Sequence, residues 1–394
     1  MRFSPLVARI AGEGAAAWAL HSRATQAAET DPDVIIMSVG DPDLETPQIV
    51  KDAAIRALQE NDTHYTTVAG VSPLRVAVAR RFSEQTGVPY GLENVMITPG
   101  TQSALFFSSM CLAGPGDEIL APEPMYVTYE ATVQVTGAKL VRAPQPAENG
   151  FRPIEQAMAE AITPKTRVIL ITTPNNPTGV ALTHAELSMI ADLAREHDLW
   201  VISDEVYGRT LFGREHVSIA ALPGMAERTV TVAGLSKSHA MTGWRIGWAI
   251  GPRELVAHFD NLALCMLYGL PGFTQTAAVV ALADGPDGAW DAADGMRDIY
   301  QRRCRLALSA LNQISGLSCV EPEGGMFAMM DVRGTGMSAA EFANGLFEAE
   351  KVSVLDATAF GPSAQGHVRL SFAIADDRLE EACARIGRFV RGRT

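Results

Sequence analysis

Residues 168–207 run VILITTPNNPTGVALTHAELSMIADLAREHDLWVISDEVY. An apolar run, VILITT (168–173), meets a turn pinned by Pro and Gly, and an amphipathic helical pattern follows over 184–197. A second apolar run, WVISDE (200–205), closes the unit. Near-continuous apolar strands separated by helices predict a mostly parallel sheet covered on both faces. The pattern extends outward through VMIT (95–98), EILA (118–121), KLVRA (139–143), TVTVA (229–233) and IGWAIG (246–251), with a further helix over 101–113. The expected architecture is α/β, with a mostly parallel seven-stranded sheet between helices. At 394 residues the chain exceeds one compact core, so two domains are expected. A large one spans 46–285, and a smaller α+β one combines 286–394 with the N-terminal arm 1–45. Turn residues in ADGPDG (283–288) mark the expected hinge, and a long polar helix is expected over 290–313.

The formal charge of −13 opposes broad attraction to nucleic acid or anionic lipid. No run reaches membrane-span length, and Arg9 and Glu13 interrupt the N-terminal stretch as a secretory signal. Cys111, Cys265, Cys304, Cys319 and Cys383 are scattered and never CxxC, so reduced thiols in a cytoplasm are expected.

In an open parallel sheet, ligands bind beyond the carboxyl ends of the strands. Here VMIT is followed by PGTQSAL, VILITT by PNNPTG, WVIS by DEVY and TVTVA by GLSK. Those ends offer a helix N-terminus, an amide, an acid with a phenol, and an amine. Together they fit pyridoxal 5'-phosphate, which has an aldehyde, a ring nitrogen, a phenolic oxygen and a phosphate. Lys237 would form the Schiff base and Asp204 would hold the ring nitrogen's proton. Tyr207 and Asn176 would bond the phenolate oxygen. The phosphate would sit at the helix start near Thr101 and Gln102, with the Arg245 fork beside it.

The segment GLSKSHAMTGWRIG (234–247) resembles the lysine signature of class I/II, fold-type I aminotransferases. The resemblance extends through VGDPDLETP (39–47), HYTTVAGVSPLR (64–75), PEPMYVTY (122–129), PNNPTG (174–179), SDEVY (203–207) and GHVRLSFA (366–373). It implies that Tyr126 stacks on the cofactor ring, that Arg369 clamps the substrate α-carboxylate and that Gly40 lines the carboxylate site. It also implies that Tyr65 reaches the neighbouring subunit's phosphate, hence a homodimer with shared active sites. Where many members have Ser-x-Ser-Lys, this chain has Gly234, leaving Ser236 as the remaining serine donor.

Several segments resemble more specifically the arginine–pyruvate branch of that family: RIAGEGAAAWALHSR, EPMYVTYEA, ISDEVY, LSKSHAMTGWR and NLALCMLYG. The expected chemistry is ping-pong transfer of an amino group from an L-amino acid, arginine or another, to a 2-oxo acid such as pyruvate, with Lys237 as general base. A guanidinium would want an acid at the cleft mouth, and Glu13 is the candidate. Aspartate or aromatic transamination and β-elimination on the same scaffold are the alternatives. A regulator would need an appended DNA-binding domain, whereas this chain begins directly with the aminotransferase pattern. GEGAAA (12–17) mimics a dinucleotide fingerprint but lacks a preceding strand. GLSKS departs from GxSxG, and the eight histidines form no metal motif.

Overall fold

The computed structural model describes residues 1–10 and 14–393. Seven strands form one sheet: β1 (Val95–Thr98), β2 (Glu118–Glu123), β3 (Lys139–Pro144), β4 (Thr166–Thr172), β5 (Trp200–Asp204), β6 (Thr229–Gly234) and β7 (Gly247–Ile250). Their order is β1-β7-β6-β5-β4-β2-β3. All seven were expected from the sequence, and their ends move by at most two residues. Only β7 runs against its neighbours β1 and β6, the other pairings being parallel.

Helices around this sheet and a second, smaller one include α1 (Gly14–Ala28), α2 (Thr101–Leu112), α3 (Thr128–Gln134), α4 (His184–Glu196), α5 (Arg253–Met266), α6 (Ala292–Leu311), α7 (Ala339–Glu350) and α8 (Asp376–Arg391). Alternation along β4 and β5 sends residues to opposite faces of the large sheet. Val168, Leu170 and Ile202 pack with Phe107 of α2 and Phe259 of α5. Ile169, Ile171 and Val201 pack with Leu187, Ile190 and Leu193 of α4. Each such fully buried side chain contributes roughly 1.5–3 kcal/mol. The start of α4 is fixed by a capping box: Glu186 N–H donates to Thr183 Oγ1 at 3.2 Å, and Thr183 N–H donates to Glu186 Oε2 at 2.7 Å.

The second sheet is antiparallel, with strands β8 (Ser318–Cys319), β9 (Phe327–Asp331), β10 (Leu355–Asp356) and β11 (His367–Ser371) in the order β10-β11-β9-β8. Its core takes Tyr300 and Leu311 from α6, Phe342 and Leu346 from α7, and Leu379 and Ile386 from α8. Ile35–Ile36 pairs in parallel with Val352–Ser353, and Ile35 and Met37 join this same core. The sequence pattern after residue 313 predicts two or three strands and two helices, whereas five strands lie there, four in this sheet and the fifth at Val352–Ser353. Two-residue strands carry no alternation to read.

Among the described residues no helix is long and apolar enough to cross a membrane. No group of three or more His, Cys, Asp or Glu is placed to hold a metal ion among them.

Candidate active site

The C-terminal ends of β1, β2, β4, β5 and β6 share one edge of the large sheet. Because β7 runs backwards, its N-terminal end lies at that edge too, which brings Arg245 beside the residues that follow β1. A cleft of about 530 Å³ opens there, between this edge and residues of α1, the 36–41 segment, β9 and β11. Its walls include Gly40, Thr101, Gln102, Tyr126, Asn176, Asp204, Tyr207, Ser236, Lys237, Arg245 and Arg369. Eleven of the twelve residues expected to hold the cofactor or the substrate carboxylate therefore meet in one place. The twelfth, Tyr65, is 87% exposed and contacts Tyr268 edge to face at 5.1 Å, outside this chain's own cleft.

Lys237 Nζ donates to the Gly40 carbonyl at 2.7 Å. Burial pulls its pKa down to about 8, helped by the charges of Arg369 and Arg245 and opposed by Asp41. A Cβ on Gly40 would lie 2.0 Å from Phe327 Cζ, so any side chain there would have to push the Phe327 ring aside. Asp204 ends β5, and burial pushes its carboxyl up to about 6. Two donors hold the charged form: Tyr129 Oη at 2.7 Å from Oδ2 and the Val206 N–H at 3.2 Å from Oδ1. Tyr129 Oη also meets Thr172 Oγ1 at 2.5 Å. Sequence reasoning gave Tyr129 no role, although it stands three residues after Tyr126, whose ring it meets edge-on at 5.8 Å.

Arg369, in β11, is 1% exposed. Its guanidinium lies 4.1 Å from the Phe327 ring centre and 4.9 Å from that of Phe360. It donates to Asn176 Oδ1 at 2.9 Å and to the Ser38 carbonyl at 2.6 Å, and burial lowers its pKa to about 10. Burial raises the Tyr207 phenol, whose ring packs edge-on against Phe327 at 6.1 Å. Burial likewise raises Tyr126.

At the opposite end, Gly100 precedes α2 with φ of +80°, and a Cβ there would sit 2.1 Å from Arg245 Nη2. Arg245 donates to the carbonyls of Thr242 at 2.7 Å and Pro99 at 3.2 Å, which sets its fork across the helix start. The Gln102 amide is engaged by Thr132 and Thr128, each at 2.8 Å, so its side chain braces α3. Thr101 is 9% exposed, and its hydroxyl finds no partner among the described residues. A Cβ on Gly234 would lie 3.0 Å from Thr101 Oγ1 and 2.8 Å from the Ile246 carbonyl. The space a serine would need at 234 is filled by strand backbone and the Thr101 hydroxyl.

An unpartnered buried hydroxyl, a helix start and an arginine suit a phosphate. A buried lysine and a buried carboxylate beside it suit an aldehyde and a ring nitrogen. The residues present therefore fit pyridoxal 5'-phosphate. Trp18, His21 and Asp41 also line the cleft, unforeseen in the sequence. Glu13 lies outside the described residues, as does part of GEGAAA.

This fold with this site defines a known class: the chain belongs to the aminotransferase class I and II family, the match spanning residues 32–386. It is a fold-type I aminotransferase. It is 48% identical over 386 residues to the arginine–pyruvate transaminase AruH of Pseudomonas aeruginosa, covering 98% of this chain and 97% of that one. Aromatic-amino-acid aminotransferase 2 of Thermococcus litoralis is 38% identical, covering 91% of this chain and 92% of its own. The solved aspartate aminotransferase of Thermus thermophilus with maleate superposes with a TM-score of 0.93 at 34% identity, covering 99% of this chain and 100% of that chain.

Proposed function

We propose that this aminotransferase binds pyridoxal 5'-phosphate in the cleft and moves the amino group of L-arginine to pyruvate, in ping-pong order. The observation that carries the reading is Lys237, a buried amine at a strand end, drawn to about 8 and held on the Gly40 carbonyl. When bound, the cofactor supplies an aldehyde to carry the amino group and a ring to draw off electrons. Lys237 would hold the aldehyde carbon and, once freed, take the proton from the donor's Cα. Asp204 would keep the ring nitrogen protonated. Tyr207 and Asn176 would bond the phenolic oxygen, and Tyr126 would cover the ring. Thr101, Gln102 through its backbone, Ser236 and Arg245 would hold the phosphate. Arg369 would fix the donor carboxylate and so orient the Cα–H bond. Tyr65, exposed outside its own cleft, would serve the partner's phosphate in a homodimer. Scattered unpaired cysteines fit a reducing cytoplasm. Arginine as donor is supported by the 48% identity to an arginine–pyruvate transaminase.

The test incubates purified protein and pyridoxal phosphate with L-arginine and pyruvate. The expected products are L-alanine and the oxo acid of arginine in equal amounts, with the cofactor spectrum changing on arginine alone. If arginine, alanine and aspartate all leave the spectrum unchanged, the reading is wrong.

A further inference from the structure

A donor whose carboxylate sits on Arg369 and whose amine points to Lys237 must send its side chain away from both. Several cleft residues serve neither group, and six of them come from α1 and the segment after it: Trp18, His21, Thr25, Ile36, Val39 and Asp41. His21 is already committed. Its Nδ1 lies 2.9 Å from Ser38 Oγ, which lies 3.0 Å from Ser353 Oγ, and burial and Arg369 together lower its pKa. A neutral His21 places no positive charge in this part of the cleft. Trp18 is half-buried and meets His21 edge-on at 5.4 Å. Asp41 is exposed, and among the described residues no donor bonds its carboxylate. Besides Asp204, which is buried and already bonded to Tyr129, Asp41 is the one acid on the described walls of the cleft.

An indole, two aliphatic side chains and a free carboxylate suit a substrate side chain with an aliphatic stem and a planar cationic end. We propose that Trp18 and Asp41 are specificity-determining residues that receive the guanidinium-bearing side chain of the donor, with its stem along Ile36 and Val39. The proposal rests on the transamination reading above and adds the residues that choose the donor.

The test compares kcat/KM of the holoenzyme for L-arginine, L-citrulline and L-alanine in wild type, W18A, W18F and D41N. Citrulline keeps the length and plane of arginine without its charge. The arginine-to-citrulline ratio is expected to fall about tenfold in D41N. The arginine-to-alanine ratio is expected to fall about tenfold in W18A and to recover in large part in W18F, which keeps an aromatic face. Any effect of Asp41 on the Lys237 proton acts on all three donors alike and cancels in the ratios. Ratios unchanged in both W18A and D41N, while alanine is still turned over, overturn the proposal alone. A wild type that turns over none of the three donors overturns the transamination reading instead.

Discussion

Replacing Tyr129 with phenylalanine removes one hydroxyl from a packed ring and tests how the buried acid is tuned. In the wild type that hydroxyl stands 2.7 Å from Asp204 Oδ2 and helps to hold the carboxylate against a burial that has raised it to about 6. A hydrogen bond to a charged group contributes about 1.5–3 kcal/mol, and 1.36 kcal/mol corresponds to one pKa unit. Asp204 should therefore titrate about 1–2 units higher in Y129F, near neutrality or just above. A protonated Asp204 carries no charge to favour a proton on the ring nitrogen, so the acid limit for cofactor binding should climb by the same amount. The folded-state pKa lies above the unfolded value of 3.8, so Asp204 favours the folded state at low pH and loses that contribution as pH rises through about 6. The melting temperature of cofactor-free wild type should decline over that interval, and in Y129F the decline should extend about 1–2 units further. Carbon-13 NMR of labelled aspartate in cofactor-free protein would give the midpoint directly. A midpoint unchanged or lowered in Y129F would refute this account of Asp204.

T101V keeps the volume of Thr101 but deletes its unpartnered hydroxyl. It should leave the melting temperature of the cofactor-free protein unchanged or higher, while equilibrium titration shows cofactor affinity about tenfold weaker. K237M removes an amine whose pKa burial has lowered to about 8. It should raise the melting temperature of the cofactor-free protein at pH 7, with the gain fading as pH rises through about 8 toward 10.5, where the wild-type amine is neutral folded or unfolded. Steady-state assays of K237M should show activity at background. G40A drives a methyl into the Phe327 ring that lies against Arg369. If Arg369 holds the donor carboxylate as proposed, the KM for every amino donor should rise about tenfold or more through its displacement.

The large sheet was legible because each strand is an apolar run bounded by turn residues, as in VILITT and WVISDE. The strand-end rule found Lys237, Asp204, Asn176 and Thr101 for the same reason: they are fixed by where strands stop. Arg245 joined them only because β7 runs backwards, a direction that residues 246–251 do not encode by themselves. Tyr129 escaped notice because its bond to Asp204 spans 75 residues. Trp18, His21 and Asp41 escaped because helix α1 and the segment after it meet the cleft through packing on the smaller sheet. Gly234 was legible as a missing serine, but not the crowding by Thr101 and the Ile246 carbonyl that excludes one.

The cleft's two ends differ in how deeply they are tied into the rest of the molecule. Arg369 is wedged between Phe327 and Phe360, which belong to two separate apolar cores. On the reading proposed above, altering Arg369 thus disturbs stability as well as substrate binding. Trp18 and Asp41 stand outside the cores, the first packed on one from its edge and the second at the surface. Selection can therefore exchange them at little thermodynamic cost, and a lineage built on this scaffold is free to drift from one amino donor to another while its chemistry stays frozen.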